Sequence, residues 1–142
     1  MDLIAAEPLV TKPIALDWDP AGRLWVAETP EYPFRRSTTG PTHDRISILT
    51  DTNRDGVMDT KQVFHEGLHL VTSLVLHRDG VLVAQAPDIL WIRDTDGDGR
   101  MDRVTIFADE LLLPRIVTPL DDRVIIRETH DPTFVSFRDT DA

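Results

Sequence analysis

The sequence predicts an all-β protein built of β-propeller blades: about three four-stranded blades, half of a six-bladed ring. Three observations carry this. An acidic, glycine-containing motif recurs, as DTNRDGVMD from Asp51, as DTDGDGRMD from Asp94, and as a third start at Asp139. The segments before each motif correspond strand by strand. No segment sustains a helical period, whereas short runs rich in Val, Ile, Leu, Phe and Trp alternate between Gly, Asp and Pro.

The strands follow in order. IALDWDPAG, SLVLHRDG and IVTPLDD read as the first strand of each unit. GRLWVAET, GVLVAQAP and DRVIIRET form the second, and RISILTDT, ILWIRDT and FVSFRDT the third. A fourth follows the acidic loop, KQVFHE in the first unit and RVTIFAD in the second. Four short strands in a repeat of about 40–45 residues is the pattern of a propeller blade. The units fall at 11–67, 68–110 and 111–142, the last lacking its outer strand.

Residues 1–10 align with the ends of the first and second units. Leu3–Ala6 therefore reads as an orphan outer strand, the last strand of a blade whose other strands lie elsewhere. The first unit is also longer between its second and third strands, over Thr29–His43. In a blade that turn faces away from the third-to-fourth turn, so the insertion is expected opposite the acidic loops.

Composition narrows the function. Asp plus Glu number 25 against 15 Lys plus Arg, a net charge of −10. That argues against a nucleic-acid or anionic-membrane surface, which would need a basic footprint. With no cysteine, disulfides, thiolate zinc, cysteine nucleophiles and a Cys-x-x-Cys-His haem attachment are all excluded for these residues. No apolar run approaches the roughly 18 residues of a membrane span. The start MDLIAAEPLV has neither the basic region nor the apolar stretch of a signal peptide.

The acidic loops suit calcium, a hard cation that takes six to eight oxygens at about 2.3–2.6 Å. Loop one (Asp51–Asp59) offers Asp51, Asn53, Asp55 and Asp59, with the carbonyl of Val57. Loop two (Asp94–Asp102) offers Asp94, Asp96, Asp98 and Asp102, with the carbonyl of Arg100. Gly56 and Gly99 fall at sharp bends, where positive φ suits glycine. Gln62 and Thr105 hold the twelfth position, which an EF-hand fills with a bidentate Glu, and strands rather than helices flank the loops. Two calcium ions are expected. A plain Asp/Gly turn without metal is the simpler alternative, and Mg²⁺ rarely uses an all-protein cage.

LDWDPAGRLWVAE followed by EYP, RISILTDTNRDGVMDTKQVF and VLVAQAPDILWIRDTDGDGRMDRVTIFAD resemble the N-terminal propeller of planctomycete-type membrane-bound dehydrogenases. That family is related in fold to glucose/sorbosone dehydrogenase propellers. The resemblance implies a six-bladed ring, an extracytoplasmic (periplasmic or cell-surface) setting, and partners in the form of the remaining blades of a longer parent chain or a second copy. It also implies larger parents with helical-repeat and cytochrome c modules.

Other candidates are weaker. Glu28, Tyr32, Arg35 and His130, with Glu31, Arg36 and His43 nearby, could form a ligand face on the insertion side, since loops on rigid scaffolds carry function. A Glu28/His130 acid–base pair is one form of it; an ordinary charged surface is another. His65, His69 and His77 read as structural or exposed, and Trp18, Trp25 and Trp91 as rings filling the space between blades. Two functions remain: a calcium-binding propeller scaffold or binding piece, without dehydrogenase activity of its own, and a sugar or alcohol dehydrogenase domain with a quinone at the ring centre.

Overall fold

The computed structural model describes residues 1–30, 32, 40–128 and 134–138, with only the backbone of Ile116. Among them are eleven strands and no helix. The first sheet comprises β1 (Pro13–Trp18), β2 (Leu24–Glu28), β3 (Asp44–Thr50) and β4 (Thr60–Leu68). The second comprises β5 (Val71–His77), β6 (Gly80–Gln85), β7 (Asp88–Arg93) and β8 (Arg103–Ala108). The third comprises β9 (Pro114–Pro119), β10 (Arg123–Glu128) and β11 (Phe134–Arg138). Each sheet is an open antiparallel meander in which sequence neighbours are sheet neighbours.

Period-two alternation explains the stacking. In β6, Val81 and Val83 face the first sheet, while Leu82 and Ala84 face the third; all four are fully buried. A strand covered on both faces reads as a continuous apolar run, which is why GVLVAQ shows no polar side. Between the first and second sheets lie Trp25, Ala27, Ile46, Ile48 and Phe64 against Leu74, Val81, Val83 and Ile92. Trp25 and Phe64 meet edge to face at 4.7 Å. Between the second and third lie Ile89 and Trp91 against Val117, Val124 and Ile126. Each buried Val, Leu, Ile or Phe among them contributes about 1.5–3 kcal/mol.

Polar ties fix how the sheets sit. Asp17 Oδ2 accepts from Leu76 N at 2.9 Å, and Asp44 Oδ2 from Val71 N at 3.2 Å. The Thr72 hydroxyl donates to the carbonyl of Pro114. The Asp17 and Thr72 bonds join the first strands β1, β5 and β9, which lie side by side, and the Asp44 bond ties the start of β3 to β5.

One expectation is corrected, that for Trp18. The orphan-strand segment Leu3–Ala6, expected to belong to a sheet whose other strands lie elsewhere, forms no ladder within this chain. It has no adjacent strand to pair with among the described residues: Ile4 O accepts from Met58 N at 2.8 Å, and Ala6 O accepts locally from Leu9 N at 2.9 Å and Val10 N at 3.3 Å. Trp18 does not fill the space between sheets: it sits at the end of the edge strand β1, on the uncovered side, and is 45% exposed.

Candidate metal loops and neighbouring sites

Both acidic loops close a β-hairpin, β3–β4 for loop one and β7–β8 for loop two. Their internal bonding is nearly the same. In loop two, Asp94 Oδ1 accepts from Gly97 N at 2.6 Å and Oδ2 from Gly99 N at 2.7 Å. In loop one, Asp51 Oδ1 accepts from Arg54 N at 2.7 Å and Oδ2 from Gly56 N at 2.8 Å. The ninth-position Asp closes each loop by accepting a hydroxyl: Thr95 to Asp102 at 2.6 Å, Thr52 to Asp59 at 2.7 Å. Gly56 and Gly99 adopt φ of 91° and 82°, as the bends require. The fourth position is also left-handed, with Gly97 at 81° in loop two but Arg54 at 61° in loop one. An L side chain is strained there.

The amides affect the carboxylates directly. Partial desolvation pushes Asp94 up, but the N–H groups of Gly99 and Gly97 outweigh it and hold the carboxyl below its usual range. For Asp59 the Thr52 hydroxyl has the largest effect and lowers it. Both therefore stay ionised in mild acid.

Loop two brings ligand oxygens of Asp94, Asp96 and Asp102 within 4.8 Å of one another, the one such group of three acids or histidines among the described residues. Asp98 stands outside that trio, with Oδ1 accepting from Arg100 N at 2.7 Å. In loop one Asn53 stands where loop two has Asp96, and its amide donates to Asp55 Oδ2 at 3.0 Å. Val57 N likewise donates to Asp55 Oδ1 at 2.8 Å. The donor set of loop two, three clustered hard anionic oxygens, fits a hard divalent cation. Loop one offers a similar frame with one charge fewer.

Each loop is docked against what precedes it in the stack, a feature that motif reading missed. Met101 N donates to Phe64 O at 3.1 Å, and Gln62 Nε2 to Gly99 O at 2.9 Å, so loop two rests on strand β4 of the first sheet. Loop one makes the matching Met58–Ile4 bond to the N-terminal segment. The repeat alignment holds the signal, since it sets Ile4 against Phe64.

The insertion-side candidates separate. The Glu28 carboxylate is fully buried and occupied: it accepts from Ser47 Oγ at 2.5 Å, Lys61 Nζ at 2.8 Å, Arg45 Nε at 2.9 Å and Thr11 N at 2.7 Å. Burial pushes its pKa up, but the Arg45, Lys61 and Ser47 bonds prevail and bring it to about 2. It is a structural hub, not a ligand-facing acid. Tyr32 is exposed beside a cavity of about 420 Å³ that Thr29, Asp44, Leu70 and Arg115 also line. Arg35 and His130 lie outside the described residues, as do Glu31, Arg36 and Asp139. His77 is buried with its ring 5.9 Å from that of Trp91, and burial lowers the His65 pKa. His69 N donates to Gln85 Oε1 at 2.6 Å.

The family model of a domain of unknown function, DUF7133, matches residues 1–100 and 90–142. A search of curated proteins finds none that matches the chain. No described helix is long and apolar enough to cross a membrane.

Proposed function

We propose that this chain, which belongs to the DUF7133 family, is a calcium-binding β-propeller module that serves as a scaffold or binding piece of a larger extracytoplasmic protein. The observation that carries the reading is the trio Asp94, Asp96 and Asp102, its ligand oxygens within 4.8 Å. Three carboxylates so close repel one another, and a divalent cation converts that cost into attraction. The near-identical bonding of loop one supports a second site of lower affinity. The three stacked, sequentially wound antiparallel sheets support the propeller reading. The dehydrogenase parent and the extracytoplasmic setting rest on the sequence resemblance.

Extracellular calcium modules bind with Kd of roughly 10⁻⁴–10⁻³ M. At ten times Kd, binding to the folded state alone stabilises by about 1.4 kcal/mol per site. Calorimetric titration of calcium into chelator-treated protein is expected to give heat and two sites, and Asp96→Ala, which removes one carboxylate of the trio, to lose one. Absence of heat in the parent protein, or unchanged stoichiometry in the variant, would refute the assignment of loop two.

A further inference from the structure

We propose that the outer face of the first sheet is a docking surface for the third sheet of a second copy of this chain. The argument uses an interface already present in the molecule. The second sheet receives the first through Leu74, Val81, Val83 and Ile92, closed at the loop end by the Met101–Phe64 bond. The outer face of the first sheet repeats that receiving surface position for position. Leu24, Val26 and Leu49 stand where Val81, Val83 and Ile92 stand, and Met58 N bonds Ile4 O as Met101 N bonds Phe64 O. Strand register fixes the last equivalence, since Leu16 pairs with Val26 as Leu74 pairs with Val83.

The two surfaces differ in cover. Leu74 is 5% exposed, and its counterpart Leu16 is 58% exposed. The N-terminal segment, through Ala5, Leu9 and Val10, covers only Leu24, Val26, Leu49 and Met58. It supplies the equivalent of an outer strand and leaves β1 bare, with Leu3, Ile4, Leu16 and Trp18 around a cavity of about 280 Å³. The missing body is therefore the three inner strands of a neighbouring sheet. The third sheet has three strands among the described residues. Its outward face pairs Ile125 with Ser136 and Arg127 with Phe134, the last 64% exposed. Seated on the first sheet of a partner, it would gain Leu3–Ala6 of that partner as its fourth strand. The same contact made twice joins two chains into one closed ring of six sheets.

Sedimentation equilibrium near 10 µM tests this on the whole chain, with an expected mass twice 16.1 kDa. Leu16→Glu and Phe134→Glu alter side chains already exposed in the single chain, so each variant is expected to keep the fold by circular dichroism. Each is expected to weaken the dimer at least tenfold. A parent monomer overturns the proposal. So does a mass that grows with concentration beyond two chains, because the contact then fails to close. A dimer sensitive to only one of the two substitutions also overturns it, since the surfaces named are different on the two chains.

Discussion

Loop one and loop two use almost the same bonds inside the loop and differ in what they rest on. Loop two has Asp at its second ligand position, Gly at its strained fourth position, and two bonds to strand β4 of the preceding sheet. Loop one has Asn53, a left-handed Arg54 and one bond to a segment that belongs to no sheet. A binding loop is thus only as preorganised as the surface behind it. The motif sets which atoms are offered, and the docking strand sets how well they are held.

Four experiments break or sharpen that contrast. The largest effect is expected from Glu28→Ala, which leaves Arg45 and Lys61 without their shared carboxylate and releases Thr11, the root of the N-terminal segment. Breaking such a buried pair costs about 3 kcal/mol, readable in urea unfolding. In the parent, Glu28 has a folded pKa of about 2 against an ordinary 4.5. Its stabilisation is therefore complete above about 4.5 and is lost as pH falls toward 2. Amide hydrogen exchange across that range is expected to loosen loop one before loop two; the reverse order would break the link between Glu28 and loop one.

Next in size come Asp51→Ala and Asp94→Ala, compared by calcium titration and by melting with and without chelator. Each is expected to remove one ion. Asp94→Ala is expected to lower the calcium-dependent part of the melting temperature more, because loop two also bonds the first sheet. Equal losses would mean that docking contributes nothing to either site. Gln62→Ala removes one exposed bond to the Gly99 carbonyl, about 0.5–1 kcal/mol, and is expected to weaken loop two alone. Arg54→Gly is the smallest. Relief of the left-handed strain outweighs the added chain entropy by about 0.5 kcal/mol, and loop one is expected to bind more tightly. Unchanged affinity at loop one would show that this strain does not reach the ligands.

Much of the architecture was legible because the repeat and the period-two pattern act locally. Each strand in the three units lies where the alternation sets it, and Gly56 and Gly99 have the positive φ their bends demand. The site was legible only as a set of atoms. Nothing in LWVAE marks Glu28 as a buried hub, because Arg45, Ser47 and Lys61 reach it from two later strands. Trp18 looks like a core residue by type, and its exposure follows from which sheet face lacks a cover. Leu3–Ala6 aligns with the outer-strand position, and with no adjacent strand among the described residues it forms no ladder in this chain.

The order in which the chain is wound has a kinetic consequence. Every ladder joins consecutive strands, so closing each hairpin needs only a short loop, apart from the Thr29–His43 connection. Pairing between sequence neighbours lets each ladder form without waiting for a distant part of the chain. Synthesis runs from the N-terminus, so the first sheet can form its ladders once Leu68 has emerged, before the second has been made. What must wait is the covering of its inner face, Trp25 and Ile48 included, until β5 to β7 arrive. During that interval the half-made molecule presents an apolar sheet face, so a pause in translation between Leu68 and Arg93 would be the moment of greatest aggregation risk.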